Sequence, residues 1–217
     1  MNISILCSSP EHPIFALLQD WVSKQGAASK VELVQHKAKL SGGDILFLIS
    51  CNEIIGKIER DLYDSTLVVH ASELPQGRGW SPHIWQILEG KNKIIVSLLE
   101  AEDKVDTGAI WKQKEITFEG HELFDEINKK LFTVEIELME FAISNYPNVI
   151  PVEQKNKCAS YYTKRTPEDS RIDPDKSIRE QFELLRVSDP DRYPAFFEAR
   201  GYKYKVIIEK VYSYENE

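Results

Sequence analysis

Val68-Val69-His70-Ala71-Ser72-Glu73-Leu74-Pro75-Gln76-Gly77-Arg78-Gly79-Trp80-Ser81-Pro82 opens the stretch that decides the fold. Asp103-Lys104-Val105-Asp106-Thr107-Gly108-Ala109-Ile110 closes it. The β-branched run Thr66-Leu67-Val68-Val69 reads as a buried strand. His70 stands at its carboxyl end, ahead of a loop with two prolines and two glycines. In an open α/β sheet that edge is where ligands bind. A second strand over residues 93–99 leads into an acidic turn that presents Asp106. A histidine and a carboxylate can therefore meet at one sheet edge, as base and orienting partner.

The flanks supply the rest of an α/β pattern. Residues 3–7 read as a strand, 13–24 as a helix with Ile14, Leu17, Leu18, Trp21 and Val22 on one face, and 31–34 as a second strand. The apolar run 44–51 is a third, buried strand, and 53–62 a short helix. Alternating strands and helices of this kind make a doubly wound, Rossmann-like sheet. No Gly-x-Gly-x-x-Gly follows the first strand, which argues against a dinucleotide cofactor.

Beyond the central loop, 82–89 is a helix ended by Gly90, with His83 in its first turn as a surface or helix-start residue. Residues 111–118 form a further strand. A long helix over 122–145 carries Leu123, Ile127, Leu131, Val134, Leu138, Phe141 and Ala142 as a core stripe. Glu135, Glu137 and Glu140 read as its solvated face. Pro147 and Pro151 mark a boundary, dividing a catalytic domain, 1–150, from an extension, 151–217, that packs on it. The extension is expected to hold a helix over 177–187 and a hairpin over 194–211 turning at Arg200-Gly201.

The chain has 217 residues, 42% of them apolar, enough for a conventional core without disulfides. Cys7, Cys51 and Cys158 show no metal-ligand spacing and suit a reducing cytoplasm. No basic leader follows Met1, and no apolar run is long enough to span a bilayer. A soluble cytoplasmic protein with no membrane partner is the expectation. The net charge of −8 argues against a nucleic-acid partner, because neutralising phosphates needs clustered Lys and Arg.

His70, Ser72-x-Leu74-Pro75, Arg78-Gly79, Pro82 and Asp106-x-Gly108, in that order and spacing, resemble the 10-formyltetrahydrofolate-dependent formyltransferases. The family carries an Asn two residues before the His, and here that position is Val68. Asn52, after the third strand, is the candidate replacement; its alternative role is to cap the helix at Glu53. The resemblance implies a Rossmann-like formyltransferase domain in which His70, Asp106 and an Asn amide stabilise a tetrahedral oxyanion and move a proton. One oxyanion donor is typically worth roughly 2.7–4 kcal/mol. By the same resemblance the pterin of the formyl donor rests between Ile54, the turn holding Glu102, Lys104 and Val105, and the Ser72–Leu74 loop. No metal is implied.

A second resemblance lies in Arg165-Thr166-Pro167-Glu168-Asp169 with the following Ile172-Asp173, which is similar to a segment of the nucleotide-sugar formyltransferases. The loop wording 70–86 looks like the small sugar formyltransferases of surface-glycan and pseudaminic-acid-type pathways. The implied acceptor is a nucleotide-linked amino sugar, with Arg78, Lys164, Arg165 and Asp169 as its binding residues and the cations meeting a diphosphate. The family's transfer-RNA-modifying members add a basic β-barrel, whereas the tail here after Pro151 is short and mixed in charge. Formylation of an aminoacyl carrier, either transfer RNA or a peptide-synthetase substrate, is the runner-up. A non-catalytic module binding folate or a sugar nucleotide is the third reading.

Overall fold

A computed structural model of the chain describes residues 1–26, 29–155 and 158–211. The first half runs β1 (Asn2–Leu6), α1 (Ile14–Ser23), β2 (Lys30–Val34), β3 (Gly43–Leu48), α2 (Lys57–Arg60), β4 (Tyr63–His70), β5 (Arg78–Gly79) and α3 (Pro82–Leu88). Then come β6 (Lys93–Glu100), β7 (Ile110–Thr117) and α4 (Phe124–Asn145). The last stretch holds β8 (Tyr161–Tyr162), α5 (Phe182–Val187), β9 (Ala195–Ala199) and β10 (Tyr202–Val206).

Six strands form the main sheet in the order β2-β1-β3-β4-β6-β7. The first four are parallel, as a Rossmann-like sheet requires, and β6 and β7 are antiparallel additions. Side chains alternate across the strands. Ile3, Ile5, Cys7, Ile45, Phe47, Ile49 and Leu67 enter a large core with α1, α3 and α4. Leu6, Leu46 and Leu48 point the other way, into a small cluster with Ile55, Tyr63, Val68 and Ala101. Leu67 and Phe47 are wholly buried, and each such side chain contributes roughly 1.5–3 kcal/mol of transfer free energy.

Several expected elements come out differently. No helix begins at Glu53; the segment stays irregular until the single turn of α2, whose N-cap is Gly56. Strand β3 stops at Leu48, and Ser50 takes a left-handed conformation at φ 48. Leu17 of α1 is exposed. Helix α4 starts at Phe124, where Glu126 accepts the Leu123 N–H at 2.8 Å and, with Asp125, complements the helix dipole. Its stripe buries Ile127, Leu131, Leu138 and Ala142, but Phe132, Met139 and Glu135 are buried as well. Glu135 is thus a core residue, not part of a solvated face. The helix expected over 177–187 is a 3-10 turn followed by the short α5.

Residues beyond Pro151 are stitched to the sheet domain. Val152 bridges Ile110, and β8 pairs in parallel with β5. Trp85 Nε1 donates to the Thr163 carbonyl at 3.0 Å, and Arg186 Nη1 to that of Glu122 at 3.2 Å. The β9–β10 hairpin turns at Arg200 and Gly201, with φ 52 and 81, the left-handed pair of a two-residue hairpin turn. Among the described residues no helix is long and apolar enough to cross a membrane.

Candidate active site

His70 ends β4 and is 7% exposed; Asp106 is 8% exposed. His70 Nδ1 lies 3.5 Å from Asp106 Oδ1, and its Nε2 lies 2.8 Å from the Gly77 carbonyl. A carbonyl only accepts, so Nε2 carries a hydrogen. Nδ1 is left facing the carboxylate, and the pair can hold or pass one proton between them. The other carboxylate oxygen of Asp106 accepts the Gly79 N–H at 2.9 Å.

Strand direction does not bring these two together. Because β6 runs antiparallel to β4, its end, Glu100, lies opposite Leu67 rather than His70. Loop 101–109 makes the return. Ala101 N–H donates to the Thr66 carbonyl at 2.8 Å, and Glu100 N–H to that of Ala109 at 2.9 Å. Asp106 sits in the left-handed region at φ 56, which costs a non-glycine residue about 1–3 kcal/mol unless its surroundings enforce it. Gln154 does the enforcing. Its Nε2 donates to the carbonyls of Asp106 at 3.0 Å and Gly108 at 2.8 Å. Gly108 is required by close approach: a Cβ there would stand 2.0 Å from the Glu100 carbonyl oxygen. Gln154 lies in a segment without a motif, so sequence reasoning missed it.

The residues expected around the pterin divide into two groups. Ile54 is 85% and Val105 66% exposed, and Glu102 and Lys104 are exposed beside them. Arg60 ties their segments, donating from Nη1 to the Ile55 carbonyl at 2.9 Å and pairing with Asp103 at 2.5 Å. Both segments flank the small-cluster face that Val68 also joins. Exposed apolar side chains edged by backbone and charge fit a flat heteroaromatic ring. Ser72 and Leu74 are instead enclosed, at 1% and 6% exposure. Ser72 N–H donates to the His70 carbonyl at 3.0 Å, and its own carbonyl accepts from Ser97 Oγ at 2.7 Å. They shape the loop from within.

Asn52 is exposed, and its N–H donates to Ser8 Oγ at 2.9 Å. With no helix at Glu53 it caps nothing, and among the described residues its side-chain amide makes no hydrogen bond.

The expected acceptor-binding residues are dispersed. Arg78 is 4% exposed; Nη2 donates to Gln154 Oε1 at 2.6 Å and Nη1 to the Tyr161 hydroxyl at 3.2 Å. It borders a cavity of about 680 Å³ shared with Glu100, Lys104, Thr107 and Glu153, which His70 does not line. Lys164 Nζ lies 4.7 Å over the Trp80 ring. Asp169 accepts the Thr166 N–H at 2.6 Å and hydroxyl at 2.9 Å, closing a capping box. Arg165, 9% exposed, donates from Nη2 to the Asp169 carbonyl at 3.2 Å and to Ser170 Oγ at 3.1 Å.

A family model described as formyl transferase matches residues 8–143. The methionyl-tRNA formyltransferase of Rickettsia prowazekii is 29% identical over 169 residues, covering 77% of this chain and 55% of its own length. The chain spans about half the length of the curated relatives it matches. Among solved structures, a methionyl-tRNA formyltransferase from Clostridium thermocellum aligns with a TM-score of 0.82 at 19% identity, over 100% of this chain and 95% of that one. A sugar N-formyltransferase from Shewanella sp. aligns with a TM-score of 0.72 at 16% identity, over 98% and 99%. At these identities the structural likeness establishes the fold, and it extends both to a protein named for a transfer RNA and to one named for a sugar.

Proposed function

Since the chain belongs to the formyl transferase family, we propose that it transfers the formyl group of 10-formyltetrahydrofolate to the amine of a nucleotide-linked amino sugar, in the manner of surface-glycan or pseudaminic-acid-type pathways. The observation that carries the reading is the buried His70–Asp106 pair, with the carboxylate held in a left-handed turn by Gln154.

The donor supplies an activated one-carbon group: the acceptor nitrogen bonds to the formyl carbon, the bond from that carbon to N10 breaks, and N10 gains a proton. The chain's residues handle the proton and the charge. Asp106 and His70 accept the proton leaving the amine and return it towards the leaving nitrogen. The oxyanion of the tetrahedral intermediate requires donors, and Asn52, with its unengaged amide, supplies one in place of the displaced motif Asn at Val68. Ile54, Glu102, Lys104 and Val105 hold the pterin, and the enclosed Ser72 and Leu74 fix the loop beside it. The net charge of −8 favours a compact acceptor over transfer RNA. Arg165 and its motif are the acceptor contacts that the sequence resemblance supplies.

The test is incubation with 10-formyltetrahydrofolate and a panel of nucleotide-linked 4-amino sugars, with the formamide product read by mass spectrometry. Turnover of one sugar supports the reading. Formylation of methionyl transfer RNA alone, the chemistry named for the curated relatives, replaces the acceptor. Ligand binding without any turnover replaces the enzyme with a binding module.

A further inference from the structure

The short strand β5 has two edges, and they face different partners. On one edge the N–H groups of Arg78 and Trp80 donate to the carbonyls of Ser160 and Tyr162 at 2.9 and 3.1 Å, the parallel ladder to β8. Successive residues of a strand present their backbone groups to alternate edges, so the residues on either side of Arg78 point the other way. There the Gly77 carbonyl stands 2.8 Å from His70 Nε2, and the Gly79 N–H donates to Asp106 Oδ2 at 2.9 Å. The outer nitrogen of the imidazole and the outer oxygen of the carboxylate are thus gripped by one stretch of backbone. Their inner atoms, Nδ1 and Oδ1, are left facing each other at 3.5 Å.

Ser160 holds this arrangement from the extension. Its Oγ accepts the Gly77 N–H at 2.8 Å, and its carbonyl accepts the Arg78 N–H. The 77–78 peptide unit therefore has its N–H on Ser160 and its carbonyl on His70. Hydrogen bonds in such a chain polarise one another, so the bond to Ser160 strengthens the Gly77 oxygen as an acceptor. The bracket needs glycine on both sides of Arg78. Gly77 sits at φ 70, and a Cβ there would stand 3.0 Å from Ser72 Cβ and Tyr162 Cε2. Gly79 sits at φ 98, and a Cβ there would stand 2.4 Å from the Tyr162 carbonyl oxygen. Strand β8 is itself anchored on α3 and the turn after it. The Tyr162 ring stacks on Trp85 at 6.3 Å, and its hydroxyl donates to Glu89 Oε2 at 2.8 Å.

We propose that Ser160 is a positioning residue for formyl transfer: through the 77–78 peptide it keeps a hydrogen on His70 Nε2, so that Nδ1 is the atom that exchanges a proton with Asp106. This rests on the role given to that pair above, and not on the identity of the acceptor. Without the bracket the carboxylate competes for the hydrogen. It is the stronger acceptor, and it draws the single hydrogen of a neutral imidazole to Nδ1. That tautomer fills the space between Nδ1 and Oδ1, and the incoming proton finds no site there. The hydroxyl of an exposed residue in the extension thus sets the form in which the pair meets the amine's proton.

The test is NMR of the imidazole nitrogens together with steady-state kinetics. In the wild type we expect a slowly exchanging His70 Nε2–H resonance. In Ser160→Ala that resonance exchanges faster or disappears, and the Nδ1–H form grows in. There kcat falls roughly two- to tenfold, the worth of one hydrogen bond, while the KM for 10-formyltetrahydrofolate holds. Ser160→Thr restores the hydroxyl and recovers both readings; a purely structural role would move stability without moving the tautomer. Gly79→Ala, which drives β5 away from β8, acts in the same direction and more strongly. Where it fails to fold, Ser160→Ala decides alone. A resonance and a kcat unchanged in Ser160→Ala overturn the bracket and leave formyl transfer standing. A resonance lost in Ser160→Ala, in a protein whose wild type formylates neither an amino sugar nor methionyl transfer RNA, upholds the bracket and overturns the function.

Discussion

His70 and Asp106 face each other at 3.5 Å although the strands that carry them towards the site run in opposite directions. The contact therefore depends on loop 101–109 folding back. Both residues are buried and bonded to backbone, which decides how to test them. His70→Ala would orphan the Gly77 carbonyl and cost about 1–3 kcal/mol of stability. His70→Gln and Asp106→Asn keep hydrogen-bonding capacity at those positions. We expect both conservative variants to fold and to lose roughly 10²–10⁴-fold in turnover. Wild-type turnover in a folded His70→Gln protein would remove the histidine from the mechanism.

Removing Gln154 should loosen the carboxylate without touching substrate. In Gln154→Ala three hydrogen bonds disappear, to Arg78, Asp106 and Gly108, and the left-handed turn loses its clamp. Stability is expected to fall by about 1–3 kcal/mol, and kcat to fall while the KM for the folate donor holds. Steady-state kinetics on the folded fraction check this; an unchanged kcat would mean that the turn is set by other contacts.

The parts of this arrangement that rest on periodicity were legible in the chain. The β-branched run Thr66–Val69 marked β4 as a buried strand with His70 at its carboxyl end, and the apolar stripe at helical spacing marked α4. Strand direction has no such signature. Nothing in residues 93–100 distinguishes an antiparallel from a parallel strand, so the return of loop 101–109 was hidden. The burial of Glu135 was hidden for a related reason. A single stripe assumes one neighbour, whereas α4 touches β6, β7 and α5 together, and its buried arc widens to include Phe132, Glu135 and Met139.

Asn52 offers a clean separation of catalysis from stability. It caps no helix, and its exposed side chain has no partner among the described residues. Asn52→Ala should leave the unfolding free energy unchanged within about 0.5 kcal/mol, read from the melting curve. As an oxyanion donor its loss should lower turnover by about 10²-fold or more. A turnover equal to wild type would retire Asn52 and leave the Val68 substitution without compensation from this residue.

Glu135 predicts an unusual pH dependence of stability. Its carboxyl is buried, one of its oxygens has no hydrogen-bond partner among the described residues, and burial pushes its pKa up to about 8. The folded protein therefore holds this proton where the unfolded chain, near 4.5, has released it. Stability from this group is full below about 4.5 and is lost as pH rises towards about 8. His12 and His83 act in the opposite sense. Burial depresses their values, which means that the unfolded chain binds protons that the folded state refuses, so stability rises with pH up to the ordinary value of 6.5. Below 6.5 the two histidines outweigh the one glutamate and stability rises with pH, and only the glutamate operates from there to about 8. In that window we expect stability to decline with a limiting slope of about 1.4 kcal/mol per pH unit, read from urea unfolding at a series of pH values. Glu135→Gln should flatten the slope while leaving the rise at lower pH intact. A wild-type profile already flat across the window would show that Glu135 stays ionised in the core.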